Sequence, residues 1–314
     1  MADKTLTVTT VGEAPKTLTF NRDRFAGVRT MTRVEAGGAT TAITVNRTAS
    51  SADNGDKVGQ SRPLLSKVVG GAAAAYSLRD LNDRAGNNKV VRVRRASDNS
   101  EKDFTAKEVS NGTLTAWVGA GNDGFVETWY DQSGNDNNAV QLTASSQPKI
   151  VDGGVLVTGG LDFDGVDDYL ITAQSGQFSQ PVSLFQVFSS DALVASGRFQ
   201  IDASSTFMLS GGESSIYYFA GYLLNSNINF PTGGDTLHSV VFNGSSSTVF
   251  ADGSSVATGN VSSGAFQKTF SIGARRTGTQ ASNLSYKEFI IYNTDQSANR
   301  EAIEANINNQ YDIY

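Results

Sequence analysis

The sequence predicts an all-β protein: a β-sandwich of the jelly-roll type, preceded by a small β domain and closed by a short C-terminal helix. Three observations predict this. Short apolar runs recur with the two-residue alternation of half-buried strands. The gaps between them are rich in Gly, Ser, Thr, Asn and Asp, with 32 glycines against 5 prolines in 314 residues. Hairpin dipeptides, Asn54-Gly55, Asn243-Gly244 and Asp252-Gly253, sit between the runs. The length suits one large sandwich plus a small domain, here 67–314 and 1–66.

The first domain reads as four strands: Leu6-Thr7-Val8-Thr9, Thr17-Leu18-Thr19-Phe20, Val28 to Val34 and Thr41 to Arg47. Gly12-Glu13-Ala14-Pro15 is a turn between the first two, and Lys57 to Leu65 is a return strand. About 65 residues make a marginal core. With Phe20 and Phe25 as its aromatics, the unit is expected to gain stability by pairing strands with a neighbouring subunit, as an anchoring domain in a homo-oligomer.

The run Val68 to Leu81, with its block Ala72-Ala73-Ala74-Ala75, is helix-friendly and marks the domain junction. Lys89-Val90-Val91-Arg92-Val93-Arg94-Arg95 alternates as a strand, its arginines within reach of Asp98, Glu101 and Asp103. Thr113 to Val118 is apolar and contains Trp117. Phe125 to Tyr130 is a strand that ends in a dense polar turn, Asp131-Gln132-Ser133-Gly134-Asn135-Asp136-Asn137-Asn138. Leu161-Asp162-Phe163-Asp164 alternates again and breaks at Gly165.

Later runs follow at sandwich spacing: Val182 to Phe188, Phe199 to Ile201, Thr206 to Leu209, Ile216 to Phe219, Thr236 to Phe242, Ser247 to Ala251 and Thr269 to Gly273. The last strand, Leu284 to Tyr292, is apolar on both faces in Phe289-Ile290-Ile291-Tyr292 and so is central. Ser297 to Tyr311 reads as a helix with Ser297 at its N-cap and Ile303, Ile307 and Tyr311 along one stripe.

Composition removes several chemistries. With no cysteine there is no disulfide, thiolate metal site or cysteine nucleophile. One histidine, His238, rules out a multi-histidine zinc site. It lies within a strand and no Gly-x-Ser-x-Gly elbow occurs. Phosphate-loop and dinucleotide fingerprints are missing. No apolar run is long enough to span a bilayer as a helix. The N-terminus lacks a basic region followed by an apolar core, so a protein made and folded in a cytosol is expected. The net charge of −6 is uneven: 18 Lys+Arg against 12 Asp+Glu up to Glu108, and 7 against 19 beyond it. A positive end can dock on an acidic surface. The basic row at Arg92 and Arg94 lacks a second stripe and interleaved aromatics, so nucleic acid is not expected as a partner.

Two resemblances enter on particular residues. Phe163-Asp164-Gly165-Val166-Asp167-Asp168-Tyr169-Leu170, with the strands after it, resembles the opening of a laminin-G-like (concanavalin A-like) jelly roll. Ala75-Tyr76-Ser77-Leu78-Arg79, then Val93-Arg94-Arg95 with Ser97-Asp98, then Tyr130-Asp131-Gln132-Ser133-Gly134-Asn135, resemble the opening of the α-L-arabinofuranosidase B catalytic module. The same combination recurs in bacteriophage virion proteins. The resemblances cover roughly Gly70 to Tyr314. They imply a jelly roll carried on the virion surface as capsid decoration or tail component, made in the host cytoplasm, with the first domain on other virion proteins. Cell-surface glycans are the implied outer partner, and no membrane insertion is implied. The other implied reading is an arabinofuranosidase-like glycoside hydrolase, although the disulfides of that family are missing here. One fold carries many functions.

Three sets of side chains are candidates for a site. Glycan binding would use the aromatic faces of Trp129, Tyr130, Tyr169, Tyr217, Tyr218 and Tyr222, with Asp131, Asn135 and Asp136 for sugar hydroxyls. The competing reading is of core aromatics and a self-bonded Asx turn. Calcium would use Asp131, Asp136, Asp164 and Asp167, with Asp162 and Asp168 nearby. These are hard oxygen ligands without EF-hand spacing, and the laminin-G resemblance implies a calcium at a loop edge. Glycosidase chemistry needs two carboxyl groups about 5 Å apart for retention or wider for inversion. Glu213, in Ser210-Gly211-Gly212-Glu213-Ser214-Ser215, resembles the nucleophile context of the arabinofuranosidases. Asp235 and Asp252, the acids considered as its partner, lie in ordinary turns.

Overall fold

The computed structural model describes residues 4–8, 16–20, 29–34, 40–45, 64–66, 71–82, 88–190, 197–204, 207–210, 216–226 and 233–314. The chain forms two compact units, Met1–Arg62 and Pro63–Tyr314.

The first unit contains two antiparallel pairs. Lys4–Val8 lies against Lys16–Phe20 with Leu6 opposite Leu18. Arg29–Val34 lies against Thr40–Val45 with Met31 opposite Ile43. The expected return strand from Lys57 falls outside the described residues, except that Leu64–Ser66 forms a 3-10 turn.

In the second unit the strand pairings run as two successions. One passes from Ala74–Ser77 and Leu161–Asp164, which share an edge of Asn283–Tyr292, through Val182–Ser189, Thr236–Phe242 and Ser247–Ala251 to Ser254–Gly259. The other passes from Glu101–Thr105 through Lys89–Arg95, Gly124–Trp129, Ala139–Val140, Leu170–Thr172, Ser271–Ile272, Phe199–Asp202, Phe207–Ser210 and Ile216–Phe219 to Leu223–Asn225. All of these pairs are antiparallel. Their apolar faces meet in one core that includes Tyr76, Trp129, Leu184, Phe188, Tyr218, Phe270 and Phe289. Tyr76 stacks on Phe289 at 6.4 Å between ring centroids and meets Trp129 at 5.6 Å. Each such aromatic contributes about 1.5–3 kcal/mol by leaving water. This is the β-sandwich that the strand pattern predicts.

The first succession is covered on its other face too. Phe185, Val187, Leu237, Ile290 and Tyr292 form a second cluster with Ile303 and Ile307 of the helix Arg300–Tyr311. That double burial is why Val182–Ser189, Thr236–Phe242 and Phe289 to Tyr292 are apolar on both faces.

Several local expectations change. The alanine run forms no helix: Ala74–Ser77 is a strand against Glu288–Ile291. Its alanines alternate, Ala74 into the main core and Ala75 into the second cluster. Pairing to a central strand at a crowded edge outweighs helix propensity, and small side chains suit the crowding. Thr113–Val118 is a helix, preceded by the helix Ala106–Ser110. The C-terminal helix starts two residues later than expected. Asn299 stands at its N-cap, and the Ser297 hydroxyl donates to Asp295 instead.

A close approach fixes one glycine. Gly160 has φ +101°, and a Cβ there would lie 2.1 Å from the Tyr286 carbonyl oxygen. Only glycine lets Leu161–Asp164 come this near the central strand.

Candidate functional site

The motif residues that carry the arabinofuranosidase resemblance are bonded to one another. Asp131 Oδ1 accepts from the Ala75 and Ser133 amides at 2.9 Å each, and Oδ2 accepts from the Ser133 hydroxyl at 2.7 Å and the Asn137 amide at 3.0 Å. Gln132 Oε1 accepts from the Leu81 amide, and its Nε2 donates to the carbonyls of Ser77 and Arg79. Asn135 Nδ2 donates to the carbonyls of Ala72 at 3.0 Å and Ala73 at 3.1 Å. The Tyr76 hydroxyl donates to the Asn137 carbonyl. The polar turn is thus an Asx turn that caps the edge of the Ala74–Ser77 strand.

Behind it lies a buried charge pair. Arg79 Nε and Nη2 donate to the two oxygens of Glu288 at 2.7 and 2.8 Å, and Nη1 donates to Asn306. Ser77 and Tyr311 hydroxyls complete the shell of Glu288. Burial lowers the Arg79 pKa, but the Glu288 charge and hydrogen bonds outweigh it and hold the guanidinium well above its ordinary value.

The open side of this turn is a polar cleft of about 440 Å³. Its lining includes Ser133, Asn135, Gln174, Phe178, Lys268 and Asn293. Gln174 Nε2 donates to the Asn135 carbonyl, which leaves its Oε1 toward other donors. The Lys268 ammonium lies 5.2 Å from the centroid of the Phe178 ring. Amides, one aromatic face and one ammonium make a set suited to sugar hydroxyls and ring faces. A second cleft, of about 420 Å³, lies between Leu78, Val109, Leu156 and Tyr311 and is mainly apolar.

The structure brings together few of the aromatics chosen from sequence. Trp129 and Tyr218 are fully buried and offer no face to a sugar. Strand alternation turns both inward, Tyr218 onto His238 with its hydroxyl 2.5 Å from Nδ1. Burial lowers the His238 pKa to about 3. Tyr130 is half-buried, donating to Asp103, which also holds Arg92 and Lys89. Burial and then the Asp103 hydrogen bond push the Tyr130 phenol up to about 12. Tyr169 and Tyr217 are half-buried, and Tyr222 is 60 % exposed. None of these lines the polar cleft. Asn135 does, while Asp131 spends both oxygens on its own turn and on the Ala75 amide. Phe178, Gln174, Lys268 and Asn293 were not singled out. They come from three separate stretches of chain with no shared motif, Gln174 and Phe178 from one and Lys268 and Asn293 from two others, and only folding assembles them.

Three carboxylates could hold a cation. Oxygens of Asp164, Asp167 and Asp168 lie within 4.8 Å of one another. Asp164 Oδ1 also accepts from the Val166 amide at 2.8 Å, Asp168 Oδ2 from the Asp164 amide at 3.1 Å, and Asp167 Oδ2 from the Ser146 hydroxyl at 2.8 Å. Hard oxygens suit calcium, which takes six to eight ligands, so three carboxylates supply part of a shell. Burial first, and then the charges of Asp164, Asp167 and Asp162, raise the Asp168 pKa to about 7. Asp131 and Asp136 lie outside this group. Asp136 is exposed at φ +55°, and Asp162 accepts from Ser285.

Glu213 lies outside the described residues. Of the acids considered as its partner, Asp235 is ion-paired with Lys287. Asp252 accepts from the Leu237 amide at 2.9 Å and the Thr236 hydroxyl at 3.1 Å.

No family model matches the chain, and no curated protein matches it. Among solved structures it is similar to a GH54 α-L-arabinofuranosidase soaked with a cyclic sulfate inhibitor, at 12% identity and TM-score 0.55, covering 75% of this chain and 62% of that one. An arabinofuranosidase complexed with arabinofuranosyl-α-1,2-xylobiose gives the same values. A Trypanosoma rangeli sialidase in complex with 2,3-difluorosialic acid matches at 14% identity and TM-score 0.42, over 58% of this chain and 31% of that one. The chain therefore spans less than two thirds of each of these proteins. At 12% identity the arabinofuranosidase likeness is one of fold, the β-sandwich, and of nothing finer.

Proposed function

We propose that the chain is a structural surface protein of a bacteriophage virion whose jelly roll binds host glycans at the polar cleft beside the Asp131–Asn137 turn. One observation carries the binding half. The motif residues spend their polar groups on each other, and the rim they build is a cleft lined by amides, an aromatic ring and an ammonium. The virion half rests on the sequence resemblance, with the first unit as the anchor to capsid or tail and the particle holding several copies. A calcium ion at Asp164, Asp167 and Asp168 would belong to the same reading, as a clamp on the loop after Phe163.

Two measurements test it. Mass spectrometry of purified virions is expected to find the chain, at many copies for capsid decoration and few for a tail component. Its absence from particles removes the virion half. A glycan array probed with the whole chain is expected to give binding that Phe178→Ala weakens about tenfold, through loss of the ring face. Binding untouched by this change and by Asn293→Ala would place the site elsewhere.

The second reading is an arabinofuranosidase-like glycoside hydrolase, favoured by the fold likeness at TM-score 0.55. It predicts release of arabinose from arabinofuranosides, lost in Glu213→Gln. A parent protein without turnover overturns it.

A further inference from the structure

We infer that the polar cleft selects glycans that carry an anionic group, and that Lys268 is the residue that selects them. This rests on the glycan-binding reading and names the class of sugar.

The unit 63–314 contains 16 Lys+Arg against 25 Asp+Glu, so carboxylates are plentiful. Arg79, Arg92, Arg95, Lys149, Lys287 and Arg300 each hold one. Lys268 is ion-paired to no carboxylate among the described residues. No acidic residue lines its cleft. In the adjoining turn, Asp131 has four donors on its two oxygens.

The backbone of Lys268 is held on both sides. Its amide donates to the Gly176 carbonyl at 2.9 Å. Its carbonyl accepts from the Thr172 hydroxyl at 2.7 Å and from Asn137 Nδ2 at 3.3 Å. The stem passes over Gly176, where a Cβ would meet Lys268 Cδ at 3.8 Å. The ammonium rests by the Phe178 ring, 5.2 Å from its centroid. A cation fixed beside an aromatic face, with the Asn293 amide on the rim and no internal anion, lacks only an external one. A ligand that supplies a carboxylate or sulfate forms a charge-assisted bond there, while its ring lies against Phe178.

Calorimetry on the whole chain tests this with three matched probes: an oligogalacturonide, the same oligomer with its carboxyl groups reduced, and a sulfated galactose oligomer. The oligogalacturonide, the sulfated oligomer or both are expected to bind about tenfold more tightly than the neutral one. These two arms separate carboxylate from sulfate as the source of the charge. Lys268→Gln is expected to erase the preference, so that the variant binds the anionic and the neutral probes alike, with its melting temperature unchanged. Lys268→Arg is expected to keep it. Equal binding of neutral and anionic probes by the parent chain overturns the inference and leaves the glycan reading standing, as does a preference that survives Lys268→Gln. No binding of any probe or array glycan overturns both.

Discussion

Glu288 has no exposure to water, and a carboxylate in that position needs its partners. Removing one member of a buried pair costs more than the pair contributes, because the other charge stays behind. Arg79→Met is therefore expected to lower stability by about 3–5 kcal/mol in urea titration. Glu288→Gln, which keeps an acceptor, is expected to cost less. His238 gives a second test. Its folded pKa is about 3, below the value near 6.5 of an unfolded histidine, so the unfolded chain binds the extra proton. The stability that follows from a neutral His238 is complete above pH 6.5 and is lost as pH falls toward 3. Asp168 has the opposite sign. Its folded pKa near 7 lies above the ordinary 3.8, so its cost is absent near pH 3.8 and grows as pH rises to 7. The urea midpoint of His238→Gln is expected to rise as pH falls from 6.5 to 4.5, against a flatter parent. A parent and variant with the same slope would show that His238 is not buried neutral.

Elements were legible where one rule decides them. Short apolar runs at sandwich spacing located Val182–Ser189, Thr236–Phe242 and Asn283–Tyr292, and the two-faced run at Phe289 marked the central strand. The Ala74–Ser77 strand was hidden, because four alanines obey helix propensity until Ile291 and Ile290, far along the chain, pair with Ala74 and Ala75. Ala106–Ser110 carried a readable signal in Thr105 and Glu108, which form a capping box. The cleft was half legible. Its Asn135 lies in a motif, while Phe178 lies in the short strand Gln177–Phe178 and Lys268 just after its partner Phe266–Gln267, and only that pairing brings them together. At this scale Gly160 is the sensitive point. Gly160→Ala would drive a Cβ into the Tyr286 carbonyl, and it is expected to destabilise by more than about 3 kcal/mol, well beyond a compatible Gly→Ala change. Loss of protection at Leu161–Asp164 in hydrogen exchange would locate the damage.

For the whole molecule, the division at Arg62 and Pro63 predicts that residues 63–314 fold without the first unit. That fragment is expected to unfold in one cooperative step; under the proposed function it also keeps the glycan binding of the intact chain and loses its incorporation into virions. A fragment that aggregates would show that the first unit is needed to cover it. The pairing of Ala74–Ser77 with Asn283–Tyr292 also sets a clock on synthesis. Ser77 meets Glu288, 211 residues further on, so the opening strand emerges with no mate. At about 5–20 residues per second a ribosome takes roughly 10–40 s to supply it. Until then a bare, apolar edge faces water. A chain cut short before Asn283 has nothing to close its sandwich, and it becomes work for chaperones and proteases.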